Sequence, residues 1–262
     1  MQKQMKSLFV ALVCMTMPVM AQKTDQVNPI IGTNGMGHTF PGACAPFGIV
    51  QVSPDTDTIP HNIDGVYQPR AYEYCAGDQH KDSSIVGFSH THFSGTGHSD
   101  LGDILLMPFT GELQINPGTA DNPDSGYRSR FEKSTEQAAP GFYGVTLADY
   151  GIKVELTASE RVGFHRYTYP QADTARVLFD IGHPQGESAE VVDTRISYDP
   201  AERTLKGFLE CYPVYATFCD KGNTVKSYFY ARLPEKITSF GTYRDSVAYP
   251  DSMQISGQGT GM

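Results

Sequence analysis

The sequence predicts a mostly β protein, an antiparallel β-sandwich with long irregular loops in its N-terminal third. Apolar and polar residues alternate over short stretches, and glycine, proline, asparagine and aspartate separate these stretches. Apolar residues rarely recur at the helical spacing i, i+3, i+4 over three turns. About 240 residues follow the first 21, which is enough for one large domain with its own core.

Alternation places the strands in the second half of the chain. Residues 149–151, Asp-Tyr-Gly, are typical of a hairpin turn between the first two of them. Residues 27–53 are instead dense in glycine and proline, although a strand is expected to end at Ser53, and residues 55–82 are polar. We therefore expect functional loops there. The predicted strands are residues 143–147, 152–158, 163–169, 176–181, 195–198, 204–209 and 225–233.

The first 21 residues are predicted to be a secretory signal peptide. Lys3 and Lys6 precede an apolar run over residues 8–19, and a small residue, Ala21, offers the cleavage site. Cleavage after Ala21 would release an exported chain, periplasmic or extracellular, and lipidation at Cys14 is the minor alternative. No later run of eighteen apolar residues occurs, so no membrane span is predicted.

Composition excludes some partners and leaves others open. The chain has 20 basic and 29 acidic residues and a net charge of −9, which argues against binding to nucleic acid or to anionic membranes. Tryptophan is absent, but 15 tyrosines and 14 phenylalanines can fill a core or line a sugar site. Four cysteines follow the signal peptide and allow three connectivities of two disulfides, and Cys211 and Cys219 are close enough in the sequence to bridge one hairpin. The four are Cys44, Cys75, Cys211 and Cys219.

The richest candidate site is the segment from Gly87 to Asp103, which we call the central motif. Its seventeen residues hold three histidines, two aspartates and four glycines. Glycine lets backbone approach a ligand closely, and histidine, aspartate and serine supply donors and acceptors of defined geometry. This composition is typical of a binding surface.

Each polar residue of the central motif has more than one interpretation. His90 and His92 would share one face if the segment is extended, and they would then contact sugar, bind zinc with His98 or Asp100, or brace the loop. Asp100 and Asp103 have the spacing of a carboxylate pair for glycoside hydrolysis. Aspartate also bonds its own loop backbone. We expect Asp103 to brace the loop and Asp100 to face a cleft.

Other candidate residues flank these. Asp55 and Thr56 follow a predicted strand, and they either reach the cleft or form a turn. Ser94 and Gly95 are candidate substrate contacts, and Gly97 is a candidate structural glycine. The glycine-rich run from Gly95 to Gly97 does not precede a predicted helix, which argues against a phosphate-binding loop. No Gly-x-Ser-x-Gly is present, which argues against a serine nucleophile.

Seven segments occur in an order that is specific for one family. They are residues 27–33, 37–43, 46–56, 87–97, 100–103, 136–143 and 155–161. Together they resemble the opening of glycoside hydrolase family 92, which are secreted, calcium-dependent exo-α-mannosidases. The Gly-Tyr-x-Tyr expected before the central motif is absent, and either residues 71–74 or residues 77–80 correspond to it.

The resemblance implies a β-sandwich of the galactose-mutarotase, or supersandwich, type that docks on an (α/α)6 barrel. In the family that barrel carries the general acid, the general base and most of the calcium site. The chain is expected to end before it, to supply none of the catalytic residues and not to bind calcium fully alone. The implied partners are mannose-containing glycans, including N-glycans, and the barrel.

The predicted function is therefore the sugar-cleft domain of an inverting α-mannosidase-like enzyme, inactive on its own. A carbohydrate-binding module and a non-functional remnant are the alternatives. The expected substrate-binding residues are Asp55, Thr56, His90, His92, Ser94, Gly95 and Asp100, and the structural loop residues are Gly97 and Asp103.

Overall fold

The computed structural model describes residues 23–57, 59, 62–95, 97, 101–183, 190–213, 222–233 and 237–262. Within these ranges all regular structure is strand or short 3-10 helix. The strands are β1 Ala43–Cys44, β2 Gln51–Asp55, β3 Asn62–Ile63, β4 Val66–Tyr67, β5 Ser84–Ile85, β6 Gly87–Ser89, β7 Leu105–Thr110, β8 Ser129–Arg130, β9 Gln137–Ala139, β10 Phe142–Leu147, β11 Ile152–Ala158, β12 Gly163–Thr168, β13 Ala175–Asp180, β14 Glu190–Asp199, β15 Thr204–Tyr212, β16 Val225–Arg232, β17 Gly241–Arg244, β18 Val247–Pro250, β19 Gln254–Ser256 and β20 Thr260–Gly261. The 3-10 helices are Lys23–Gln26, Pro69–Tyr74, Pro123–Ser125 and Lys133–Thr135.

Three antiparallel sheets build the body of the molecule. The largest has the strand order β1-β2-β6-β7-β13-β20-β17-β18. A four-stranded sheet has the order β12-β11-β10-β9, and a second has the order β16-β15-β14-β19. The antiparallel β-sandwich is confirmed, and each predicted strand in the second half of the chain is a strand.

The eight-stranded sheet carries a core on each of its faces. Leu105 and Met107 on β7 pack with Val154 and Leu156 of β11 in the first core. Leu106, between them, packs with residues of β13 to β15 in the second. Side chains alternate across a strand, so one strand serves both cores and the sheet is the middle layer of three.

This double burial explains a strand that the sequence pattern does not predict. All residues of β7 except the last are buried, and its sequence is an unbroken apolar run. Alternation is the signal of a half-buried strand, so a strand covered on both faces lacks it.

The N-terminal third is irregular, as expected, but β2 extends two residues beyond the predicted end. Asp55 pairs with Gly87 of β6, so Asp55 is a strand residue and not part of the turn that follows. The predicted signal peptide, Cys219, His98 and Asp100 lie outside the described residues. In the part of the chain that the structure describes, no helix has the length and apolar character needed to span a membrane.

Candidate functional site

Hydrogen bonds tie the two ends of the central motif together. The amide of His90 donates to the carbonyl oxygen of Asp103 at 3.0 Å, and the amide of Gly102 donates to that of Thr91 at 2.8 Å. The amide of Asp103 in turn donates to Thr91 Oγ1 at 2.9 Å. These contacts therefore join the start of the central motif, at residues 90 and 91, to its end, at residues 102 and 103.

The second end of the motif adopts an unfavourable backbone. Leu101 has a φ of 80° and Ile104 a φ of 59°, and these are left-handed values that side chains, above all β-branched ones, disfavour. Such a residue costs about 1–3 kcal/mol and persists only where neighbouring contacts impose it. One such contact is given by His90, whose Nδ1 lies 2.7 Å from the carbonyl oxygen of Ile104.

His92 and Asp55 form a fully buried pair beneath the loop. The Nε2 atom of His92 lies 2.9 Å from Asp55 Oδ1, and neither side chain is exposed. The same nitrogen lies 3.1 Å from Ser89 Oγ, and Nδ1 lies 2.8 Å from the carbonyl oxygen of Gln51. Both ring nitrogens therefore face oxygen atoms, and the ring is held in place from both sides.

The charge state of Asp55 fits this pairing. Burial opposes ionisation of the carboxyl, but the charges of His92 and His183 and the hydrogen bonds from His92 and Ser89 outweigh it, so the pKa of Asp55 lies below its usual range. His183 Nε2 lies 3.8 Å from Asp55 Oδ2. The carboxylate is therefore ionised at neutral pH.

His90 belongs to a second network, and this one is neutral. Its Nε2 lies 3.0 Å from His165 Nε2, and His165 Nδ1 lies 2.7 Å from the hydroxyl of Tyr167. Burial lowers the pKa of His90 and lowers that of His165 well below its usual value, while burial raises the pKa of Tyr167 well above it. Tyr167 then donates to His165, His165 to His90, and His90 to the carbonyl oxygen of Ile104.

Thr56 braces a neighbouring loop from a buried position. Its amide donates to the carbonyl oxygen of Gly77 at 2.9 Å, and its hydroxyl accepts from the amide of Gln79 at 2.9 Å. The Gln79 side chain then bonds both backbone groups of Gly35. As placed, Asp55, Thr56 and His92 lie below the surface, and their contact with a sugar stays a prediction.

Ser94 and Gly95 lie at the surface of the loop. Both are exposed, and the amide of Gly95 donates to the carbonyl oxygen of His38 at 2.6 Å. Gly95 has a φ of 76°, so its conformation favours glycine. Any side chain at Gly97 would collide with the hydroxyl of Tyr72. Among the described residues of the central motif, the exposed Ser94 thus offers a hydroxyl at the surface, whereas the amide of Gly95 is bonded to His38.

Asp103 links the central motif to the outer sheet. Its carboxylate is buried and accepts a hydrogen bond from Ser227 of β16 at 3.1 Å. Its role in bracing the loop stays a prediction, as does the role of Asp100.

Residues 26–262 match the family model described as the glycosyl hydrolase family 92 N-terminal domain. The chain belongs to glycoside hydrolase family 92. An α-mannosidase of this family from Bacteroides thetaiotaomicron, solved with mannoimidazole, is 35% identical with a TM-score of 0.79 over 91% of this chain. Another solved family 92 glycosyl hydrolase is 26% identical with a TM-score of 0.71 over 92% of this chain. The chain covers 30% of each of these proteins.

A curated relative is also known from a fungus. It is described as an uncharacterized secreted glycosidase of Arthroderma benhamiae and is 28% identical over 146 residues. The match covers 55% of this chain and 17% of that protein. The family 92 domain described here therefore spans less than a third of the length of these relatives.

Sequence reasoning missed the contribution of β12 to the site. His165 and Tyr167 share one face of this strand, and Gly163 begins it. A side chain at Gly163 would place its Cβ 2.6 Å from Val52 Cγ2 and 2.9 Å from His90 Cδ2, so glycine is what lets β12 approach His90. The alternation Gly-x-His-x-Tyr in a predicted strand was the available signal.

The described residues of this family 92 domain do not form a metal site. His90 and His92 follow the end of β6, and each uses both ring nitrogens in a different network. In the described part of the chain no group of three or more histidine, cysteine, aspartate or glutamate side chains is placed to hold a metal ion. His98 and Asp100, which the zinc alternative requires, lie outside the described residues, so the zinc alternative and the calcium expectation stay predictions, and we derive no step through either metal.

Proposed function

We propose that this domain forms one wall of a mannose-binding cleft in a protein that hydrolyses α-mannosidic bonds of glycans. The observation that carries the proposal is the match to family 92 over residues 26–262, with an α-mannosidase as a 35% identical relative. The residues of the central motif are also the ones that the two histidine networks hold in place.

The chemistry of bond cleavage is proposed to lie in the part of the family proteins that this chain does not match. Glycoside hydrolysis needs two carboxyl groups on either side of the sugar, and inverting enzymes place them about 6.5–9.5 Å apart. Asp55 and Asp103 are both buried and hydrogen-bonded, so neither is placed to protonate a leaving group. The acid, the base and most of the calcium site would come from the remaining domain.

The residues of this domain would position the sugar. The His92–Asp55 pair and the His90–His165–Tyr167 chain hold the first part of the central motif in place, and Ser94, two residues after His92, is exposed. A position that is held in place before binding loses little entropy when a ligand binds, which favours affinity. The hydroxyl of Ser94 can both donate to and accept from the hydroxyls of a sugar.

Exposed apolar residues near the loop support a docking surface for the remaining domain. Phe93 follows His92 in the chain and is 52% exposed. The amide of Ile49, 68% exposed, donates to the carbonyl oxygen of Glu160 near the start of β12. Exposed apolar patches of this kind mark interaction sites. We infer that the second wall of the cleft packs here.

Export of the protein is part of the same proposal. It is supported by the predicted signal peptide and by the fungal relative that is described as secreted. Cleavage after Ala21 can be read from the N-terminal residue of the mature protein.

A domain exchange tests the proposed function. Residues 26–262 would replace the matching segment of the 35% identical Bacteroides enzyme, and mannose release from an α-mannobioside would be measured with calcium present. We expect the chimera to release mannose and the Bacteroides remainder without this segment to release none. Ser94→Ala should raise KM, because the outward hydroxyl binds substrate.

The matched control is Ser252→Ala, which lies outside the loop. A well-folded chimera that releases no mannose would contradict the proposal. Mannose release by the chain alone would contradict the assignment of the acid and base to the remaining domain.

A further inference from the structure

The outer face of the sheet β16-β15-β14 carries an aromatic surface that the proposed cleft does not use. Tyr228 is 75% exposed and Tyr230 is 68% exposed, and both lie on the same face of β16 because they are two residues apart. Phe208 of β15 lies directly opposite Tyr228, with ring centroids 5.9 Å apart. We call Phe208, Tyr228 and Tyr230 the aromatic platform.

The opposite face of this sheet fills the second core, so the platform points away from the body of the molecule. Leu205 and Leu209 of β15 and Ile196 of β14 are buried there. Neighbouring strands lie about 5 Å apart, and two residues along a strand span about 7 Å. The platform therefore measures about 5 Å by 7 Å, which is the size of a sugar ring. At least two of the many tyrosines noted in the sequence are thus exposed to solvent and do not fill a core.

Two exposed cations border the platform, while the carboxylates of Glu210 and Asp193 lie beyond Phe208 and Arg195 on the same face. Lys206 lies opposite Tyr230, and Arg195 lies opposite Phe208 on the other side. Both are exposed, and neither forms an ion pair with any residue that the structure describes. Lys226 differs, because it lies 4.4 Å from the centre of the Phe208 ring and 2.8 Å from Glu210.

We propose that the aromatic platform binds an oligosaccharide that carries an anionic substituent. The C–H face of a pyranose is apolar and packs on an exposed aromatic ring, and tyrosine supplies this contact area with few rotatable bonds. Lys206 and Arg195 supply the complementary charge for a phosphate, sulfate or carboxylate on the sugar. The choice of a glycan as occupant rests on the proposed function.

Calorimetric titration of the full chain tests the platform. The probes are mannopentaose and its 6-phosphate, each at about 50 mM and about 500 mM NaCl. We expect the phosphate to bind about fivefold more tightly at low salt and to lose this preference at high salt. Tyr228→Ala with Tyr230→Ala should raise Kd for both probes about tenfold. Lys206→Gln should remove the preference for phosphate and keep the binding of mannopentaose.

Tyr67→Ala is the matched control, because Tyr67 is 59% exposed but lies on the separate β3-β4 hairpin. The inference fails if the wild-type chain binds neither probe or if the double tyrosine variant binds like wild type. It also fails if the tyrosines prove to hold a second copy, so that sedimentation shows a dimer that the double variant loses. Binding that Ser94→Ala abolishes and the tyrosine variant keeps would refute the platform and leave the proposed cleft standing. An inactive chimera with intact platform binding would refute only the cleft.

Discussion

Removing the carboxylate of Asp55 should destabilise this domain more than any exposed charge change. Asp55→Ala leaves the Nε2 atom of the buried His92 with Ser89 Oγ at 3.1 Å as its remaining partner, because the carboxylate 2.9 Å away is lost and neither side chain is exposed. Breaking a buried ion pair by removing one partner costs about 3–5 kcal/mol. Asp55→Asn keeps an acceptor oxygen but no charge, and should cost about 1.5–3 kcal/mol.

Urea unfolding at pH 7, followed by circular dichroism, measures both losses. The control is Asp124→Ala, which removes an ion pair with Arg130 from an exposed position and should leave the urea midpoint unchanged. A double-mutant cycle of Asp55→Ala with His92→Leu isolates the pair, and we expect a coupling energy above about 1.5 kcal/mol.

The pH dependence gives a second check on Asp55. Since the pKa of Asp55 is lowered in the folded state, its stabilisation is complete above the ordinary value of 3.8 and is lost as the pH falls through the folded pKa. The wild-type and Asp55→Ala unfolding curves should therefore converge in acid. A loss below about 1 kcal/mol for Asp55→Ala, or a coupling energy near zero, would refute the buried-pair argument.

Three further predictions concern the neutral network and its surroundings. The pKa values of His90 and His165 are lowered in the folded state, so the unfolded chain binds protons first as the pH falls below the ordinary value of 6.5. The free energy of unfolding should therefore drop there by up to about 1.4 kcal/mol per pH unit for each histidine. A His165→Phe variant whose free energy of unfolding, measured in urea, keeps the full slope against pH would argue against this. Tyr167→Phe leaves the Nδ1 acceptor of His165 without its donor and should cost about 1–3 kcal/mol in urea unfolding, whereas Tyr249→Phe, at an exposed position, should cost nothing measurable. Gly163→Ala places a methyl group 2.6 Å from Val52 and should cost about 1–3 kcal/mol, while Gly182→Ala, whose Cβ meets no atom closer than 3.6 Å, serves as control; equal thermal midpoints for the two variants would contradict the packing argument.

Sequence patterns predicted the strands with one exposed face, and also β13, but missed β7, which is buried on both faces. β11 reads Ile-Lys-Val-Glu-Leu, and its residues are alternately buried and less buried, so its period is visible in the sequence. β7 is covered on both sides and shows no period. Its position in the middle layer depends on β13, some seventy residues later, which no local window contains.

The sequence indicated which residues belong to the site but not which residues they hydrogen-bond to. The density of histidine and glycine marked residues 87–103, and Asp55 was expected to belong with them. The partners of the two histidines were not foreseen, because His165 lies 75 residues from His90 and the Gln51 carbonyl lies 41 residues from His92. Spacing along the chain indicates a contact only within one element, and these contacts join elements that are far apart in the sequence.

The position of β20 has a consequence for how the chain is made. This two-residue strand lies between β13 and β17 in the eight-stranded sheet, and the backbone of Met262 exchanges hydrogen bonds with Phe179. A chain synthesised from its N-terminus cannot join β17 and β18 to the rest of the sheet until residue 261 has left the ribosome. Most of the first core can assemble earlier from β2, β6, β7 and β9 to β12, which are complete by residue 168, and Leu178 and Tyr243 join it later. During synthesis this domain should thus pass through a partly folded state in which an inner strand of the eight-stranded sheet has an unpaired edge. A strand edge of this kind promotes misassembly.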